Sequence, residues 1–182
     1  MSLHEKTAAW WSLLVRFIPR FEQWLQRLYL AEKGGAERFQ AIVDRWNLAG
    51  DQLATFNGII MDELRHQDLV AGLLAARGVD LPTEPTPERY WDPVWAGVTT
   101  FEEACAAGAR GEMLARNRFR VILNHPETPE DVRAIVAQIL PDEERHARLL
   151  GELAGTGAML RMRPFHQKGM RALGLIETED DD

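Results

Sequence analysis

The chain has 182 residues, 46% of them apolar and 27% charged, with a formal net charge of −7 and a pI near 5.3. This composition excludes a largely disordered chain and argues against a general nucleic-acid binder, which needs a basic face. The longest run without a charge, Gln52 to Met61, is ten residues, against the roughly 20 that a membrane span requires. The single cysteine, Cys105, excludes an internal disulfide and a cysteine-rich metal site. The apolar stretch Ala8 to Val15 is followed by no small-residue cleavage site and is not read as a secretion signal, so the expected compartment is the cytoplasm.

Strand signals are nearly absent, and the expected class is all-α. Trp10, Trp11, Leu14 and Phe17 predict an extra packing helix over about 5–18. The tryptophans at 10, 11 and 24 suit either packing or an oligomer contact such as a homodimer. A long helix is expected from about Arg20 to Trp46. After a break at Asn47 to Gly50, a second runs from Asp51 to Arg77 and stops before Gly78. The stretch Val79 to Gly97 holds Pro82, Pro85, Pro87 and Pro93, which forbid a long helix there. Thr100 and Glu103 form a capping box that opens a third helix, running to about Leu123. Thr128 as N-cap and Pro129 at the first helical position open a fourth, which runs to about Ala154 and is expected to kink at Pro141. A short helix over about 157–175, broken near Pro164, and a frayed acidic tail from Glu177 to Asp182 complete the chain. Two short-loop helical hairpins joined by one long crossover form a four-helix bundle, expected as a single domain with its core over about 20–155.

Each long helix carries an apolar stripe at 3- and 4-residue steps, and each stripe has a glutamate near its middle. The first reads Phe21, Leu25, Leu28, Glu32, Gly35, Phe39, Ile42, Trp46. The second reads Phe56, Ile59, Glu63, His66, Val70, Leu73. The third reads Phe101, Cys105, Gly108, Glu112, Ala115, Phe119, Ile122. The fourth reads Val132, Ile135, Ile139, Glu143, His146, Leu150, Leu153. A buried carboxylate without a counter-charge costs several kcal/mol. Four of them would rival the whole stability of a domain, about 5–15 kcal/mol. The stripes place no lysine or arginine beside the glutamates. Two divalent cations would balance the four carboxylates, with both histidines neutral.

Helix lengths support a common level. Glu32 lies about 15 residues before the first turn and Glu63 about 13 after it, a climb of ~22 Å and a descent of ~20 Å at ~1.5 Å per residue. Both intervals, 32 to 63 and 112 to 143, are 31 residues. The two halves also align at a shift of 80: between 32–78 and 112–158, thirteen of 47 positions are identical, including Glu32, Arg38, Phe39, Glu63, Arg65 and His66 with their partners. Two similar hairpins are expected. Gly35 and Ala115 follow the single glutamates by one turn, making room for ions or substrate or simply packing. Tyr29, one turn before Glu32, suits a core position or a redox neighbour.

Asp62-Glu63-Leu64-Arg65-His66 and Asp142-Glu143-Glu144-Arg145-His146 match the D/E-E-x-R-H signature of carboxylate-bridged di-iron proteins, and the segment Glu112 to Phe119 is similar to the third-helix ligand segment of rubrerythrins. From about 20 to 155 the chain resembles the ferritin-like superfamily. The resemblance implies a ferritin-like bundle in which Glu32 and Glu112 are single-glutamate ligands, with Glu63 and His66 as one pair and Glu143 and His146 as the other. It implies two iron ions, or manganese, which the same ligands accept. It also implies that Asp62 orients His146 and Asp142 orients His66, with Arg65 and Arg145 anchoring the aspartates. No catalytic residue beyond the metal ligands is expected. The implied activity is a non-haem di-iron oxidoreductase using O2 or peroxide and an electron donor that the motif does not identify. The rival is a ferroxidase or iron-handling protein without an organic substrate, and a third reading is a structural bundle with a vestigial site. The chain lacks the Cys-x-x-Cys pairs of the electron-delivering module of rubrerythrins.

Overall fold

The structure, a computed structural model, describes residues 2–83 and 89–175. The expectations for Pro85 and Pro87 and for the tail from Glu177 lie outside the described residues. Among the described residues there are helices and no strands, so the protein is all-α. The elements are α1 (Leu3–Val15), α2 (Ile18–Trp46), α3 (Gly50–Ala76), α4 (Trp91–Trp95), α5 (Phe101–Asn124) and α6 (Glu130–Ala172). None is long and apolar enough to cross a membrane.

Two compact units emerge. One comprises Met1–Trp11, Pro87–His125 and Leu140–Asp182, the other Ser12–Thr86 and Pro126–Ile139. In the second unit, α2 and α3 form a hairpin. Asn47 closes α2 in the left-handed region (φ 48°, ψ 53°), where an asparagine is tolerated, and its N–H donates back to the Asp44 carbonyl. The two helices pack against one another, and Phe21, Leu25, Leu28, Phe39 and Ile42 on α2 and Phe56, Ile59, Val70 and Leu73 on α3 are buried. Phe39 and Phe56 meet edge to face at 6.1 Å. Gly78 ends the hairpin at φ 66°, and the Val79 N–H then reaches the Leu74 carbonyl at 2.9 Å. Arg77 holds the start of α6 in the same unit, donating to both carboxylate oxygens of Asp131 at 2.7 and 2.8 Å.

In the first unit, the capping box forms as expected: the Thr100 hydroxyl accepts from the Glu103 N–H, and the Glu103 carboxylate accepts from the Thr100 N–H. Glu103 also accepts from the Thr99 hydroxyl at 2.7 Å and from Arg161 at 2.9 Å. These bonds, that of Thr99 foremost, lower its carboxyl from 4.5 to about 2. The folded value lies below the ordinary one, so Glu103 stabilises the fold above pH 4.5 and loses that contribution as pH falls toward 2. The difference in urea midpoint between the wild type and Glu103→Gln should therefore shrink over this interval. A gap that stays constant with pH would contradict the assignment.

The sequence expectation of one buried stripe on α5 is too narrow. Ala104, Cys105, Ala106, Ala107 and Ala109 are all 0% exposed, because small side chains let neighbouring elements close on several sides. Burial pushes the Cys105 thiol up to about 12, which leaves it an inert small apolar group.

The connection before α5 holds no long helix among its described residues, but it contains the five-residue α4, which the sequence analysis did not identify. Pro93 sits in the first turn of α4, where its missing N–H is tolerated. Aromatic rings lie on glycines here: Trp91 against Gly111, Tyr90 against Gly169 and Phe165 against Gly97, each too close for a Cβ.

The α6 span holds two helices that meet at a kink at Gly155 (φ 66°, ψ 165°), where the sequence expects one helix to end near Ala154 and another to start near 157. One expectation is corrected: the helix after the kink runs through Pro164 without a break. The helix before it continues through Pro141. Both prolines are exposed, as are residues 137 and 160, whose carbonyls each ring frees, and water can satisfy them. Trp11 is fully buried, while Trp10 lies under the Arg118 guanidinium at 4.6 Å. Burial lowers Arg118 to about 10, so it stays charged at neutral pH and its cation–π contact holds.

Candidate metal centre

The helical stripes bring the site residues together as two similar triads, one in each unit. Glu32 projects from the middle of α2, and Glu63 and His66 project from α3 one turn apart, where i and i+3 share a face. One ligand atom from each of the three lies within 4.8 Å of the other two. Glu112 of α5 with Glu143 and His146 of α6 forms the second triad within the same limit. All six side chains are buried: Glu32 is 5% exposed, Glu63 4%, Glu112 7%, Glu143 3%, and both histidines 0%.

The spacing suits cations. His66 Nδ1 stands 3.4 Å from Glu32 Oε2, and His146 Nδ1 stands 3.8 Å from Glu112 Oε2. Both are longer than a good hydrogen bond. Two atoms each about 2.1 Å from one ion sit roughly 3–3.5 Å apart, close to what is observed. Carboxylates and imidazoles are common ligands of divalent cations. The donor set therefore fits a metal, and buried Glu/His groups that can hold one are present.

The flanking residues are placed as follows. Asp142 is buried and pairs with Arg145 on the same helix at 2.5 Å. Asp62 is partly buried, and Arg65 is exposed. Tyr29 is partly buried, and its hydroxyl accepts from the Gln67 side chain at 2.9 Å, next in sequence to His66. His166, which no sequence motif singles out, lies inside α6, 6% exposed, sharing a 2.7 Å hydrogen bond with the Tyr90 hydroxyl. The pairing joins residues 76 apart, which no local pattern signals.

A cavity of about 210 Å³ in the same unit is lined by Arg110, Met113, Leu114 and Asn117 of α5 together with His166 and Met170. At 100° per residue Arg110, Leu114 and Asn117 lie on the opposite face of the helix from Glu112, so this cavity is not on the face that carries the candidate site.

No family model, no curated protein and no solved structure matches the chain.

Proposed function

We propose that Glu32, Glu63, His66, Glu112, Glu143 and His146 together hold two divalent ions inside a ferritin-like four-helix bundle, and that the protein is a non-haem di-iron oxidoreductase acting on O2 or peroxide. The observation that carries this reading is the duplicated triad: two carboxylates and an imidazole, buried and within 4.8 Å, occurring twice at matched positions of an internal repeat. Four buried carboxylates are tolerable when four positive charges sit among them.

Two ferrous ions there would supply the electrons that reduce the oxidant. The chain's own residues do the rest. The four glutamates set the charge of the site and hold its ions. His66 and His146 would each hold an ion through one ring nitrogen. Asp62 and Asp142 would fix the imidazoles through hydrogen bonds, held in turn by Arg65 and Arg145. The apolar stripes around the glutamates keep water out and lower the local dielectric, which strengthens every charge interaction inside. Manganese suits the same donors.

The test is elemental analysis of protein purified from iron-supplemented cells, followed by exposure of the reduced form to O2 and to peroxide. Two irons per chain and an absorbance change on oxidation are expected. Uptake well beyond two irons, with slow turnover of reductant, would favour the ferroxidase or iron-handling alternative. Less than about one metal per chain, with no absorbance change, would remove both.

A further inference from the structure

The two triads match in sequence but not in their surroundings. A Cβ built on Gly35 would overlap Glu63 Oε2 outright, and the Glu63 Cδ would lie 3.0 Å from it. The Glu63 carboxylate thus occupies the space that any larger residue at 35 would fill. Gly35 has no unusual backbone angle to explain its identity: it lies in the body of α2, where glycine is among the poorest helix formers. The repeat places Ala115 opposite Gly35 and Glu143 opposite Glu63. Glu143 is accommodated on a hairpin that carries a methyl group where α2 has none.

We infer that Gly35 is a positioning residue for Glu63, and that the two hairpins hold their paired glutamates differently. The pose of Glu63 depends on the absence of a side chain at 35. The pose of Glu143 does not depend on Ala115 in the same way. A bare Cα lets the Glu63 carboxylate lie against α2, and a single methyl forces it off. Nothing in the D/E-E-x-R-H signature distinguishes the halves. The difference comes from one residue a turn beyond each single glutamate.

This inference rests on the metal-binding reading, so its test has a metal-free arm and a metal arm. In the metal-free arm, the melting temperatures of wild type, Gly35→Ala, Glu63→Ala and the double variant form a cycle. Gly35→Ala should lower the melting temperature when Glu63 is present. It should raise it in the Glu63→Ala background, where only the better helix propensity of alanine remains. The matched cycle at Ala115 and Glu143 should show no such change of sign.

In the metal arm, Co2+ titration followed by absorbance should give two ions per wild-type chain. Gly35→Ala should weaken binding of at least one of them by about tenfold or more. Ala115→Gly should leave both within about threefold of wild type. Gly35→Ala that binds two ions with unchanged affinity, or a cycle without coupling between 35 and 63, would overturn the inference alone. Wild type that takes up no Co2+ would overturn the metal-binding reading as well. If Gly35→Ala fails to fold, recovery of folding in the double variant supports the inference, and failure there too counts against it.

Discussion

Glu112→Ala is expected to abolish binding of at least one divalent ion and most of the stability that metal confers. A ligand present at about 100 times its dissociation constant stabilises a fold by about 2.7 kcal/mol. For a chain of this length each kcal/mol is worth roughly 2–4 °C. Saturating Mn2+ should therefore raise the wild-type melting temperature by about 5–11 °C, and the variant's by half of that or less. Without metal the order should reverse for the isosteric variant. Glu112 is 7% exposed, and Glu112→Gln removes a buried charge without opening a cavity. Metal-free Glu112→Gln should melt above the metal-free wild type. If wild type and Glu112→Ala show the same metal-induced shift, Glu112 is not a ligand.

Trp11→Ala should be the most damaging single change outside the site, costing about 3–5 kcal/mol in urea unfolding. Trp11 is 0% exposed and heads the fully buried side chains by size. A cost of that order is a large part of a typical domain's stability. Leu13, on the same helix and 72% exposed, should change stability by less than about 0.5 kcal/mol when replaced by alanine. The contrast tests whether α1 packs through one face. A Trp11→Ala cost under about 1 kcal/mol would show that it does not.

Local signals carried well from sequence to structure. Thr100 and Glu103 are three residues apart, and their capping box needs nothing beyond its own turn. Asn47 and Gly78 end helices because they accept positive φ, which is also local. The stripes place all six glutamate and histidine candidates on buried positions, because helical periodicity alone decides which face a residue joins. Only Trp46, Phe101, Ala115, Ile135 and Leu153 of those stripes are less than fully buried, while Val136 is buried without having been expected.

What stayed hidden depends on distant partners. The helix Trp91–Trp95 is masked by Pro93, and the rings of Trp91 and of Tyr90 just before it lie against Gly111 and Gly169, far along the chain. The all-round burial of α5 follows from how closely its neighbours approach alanines and a cysteine, which one helix's own pattern does not encode. Pro164 signals a break by its own chemistry, yet an exposed position lets water take the freed carbonyl. At the candidate site, the glutamates and histidines of each hairpin were legible, but the pose of Glu63 was not. It is set by the distance between α2 and α3 at Gly35, a packing quantity.

The most direct measurement is anomalous X-ray diffraction from crystals of the Mn2+- or Fe2+-loaded protein, collected on both sides of the metal edge. Two anomalous peaks about 3.5–4 Å apart, with Glu32, Glu63, His66, Glu112, Glu143 and His146 all within bonding distance, are expected. Peaks on surface carboxylates, with the six side chains contacting no ion, would contradict the account.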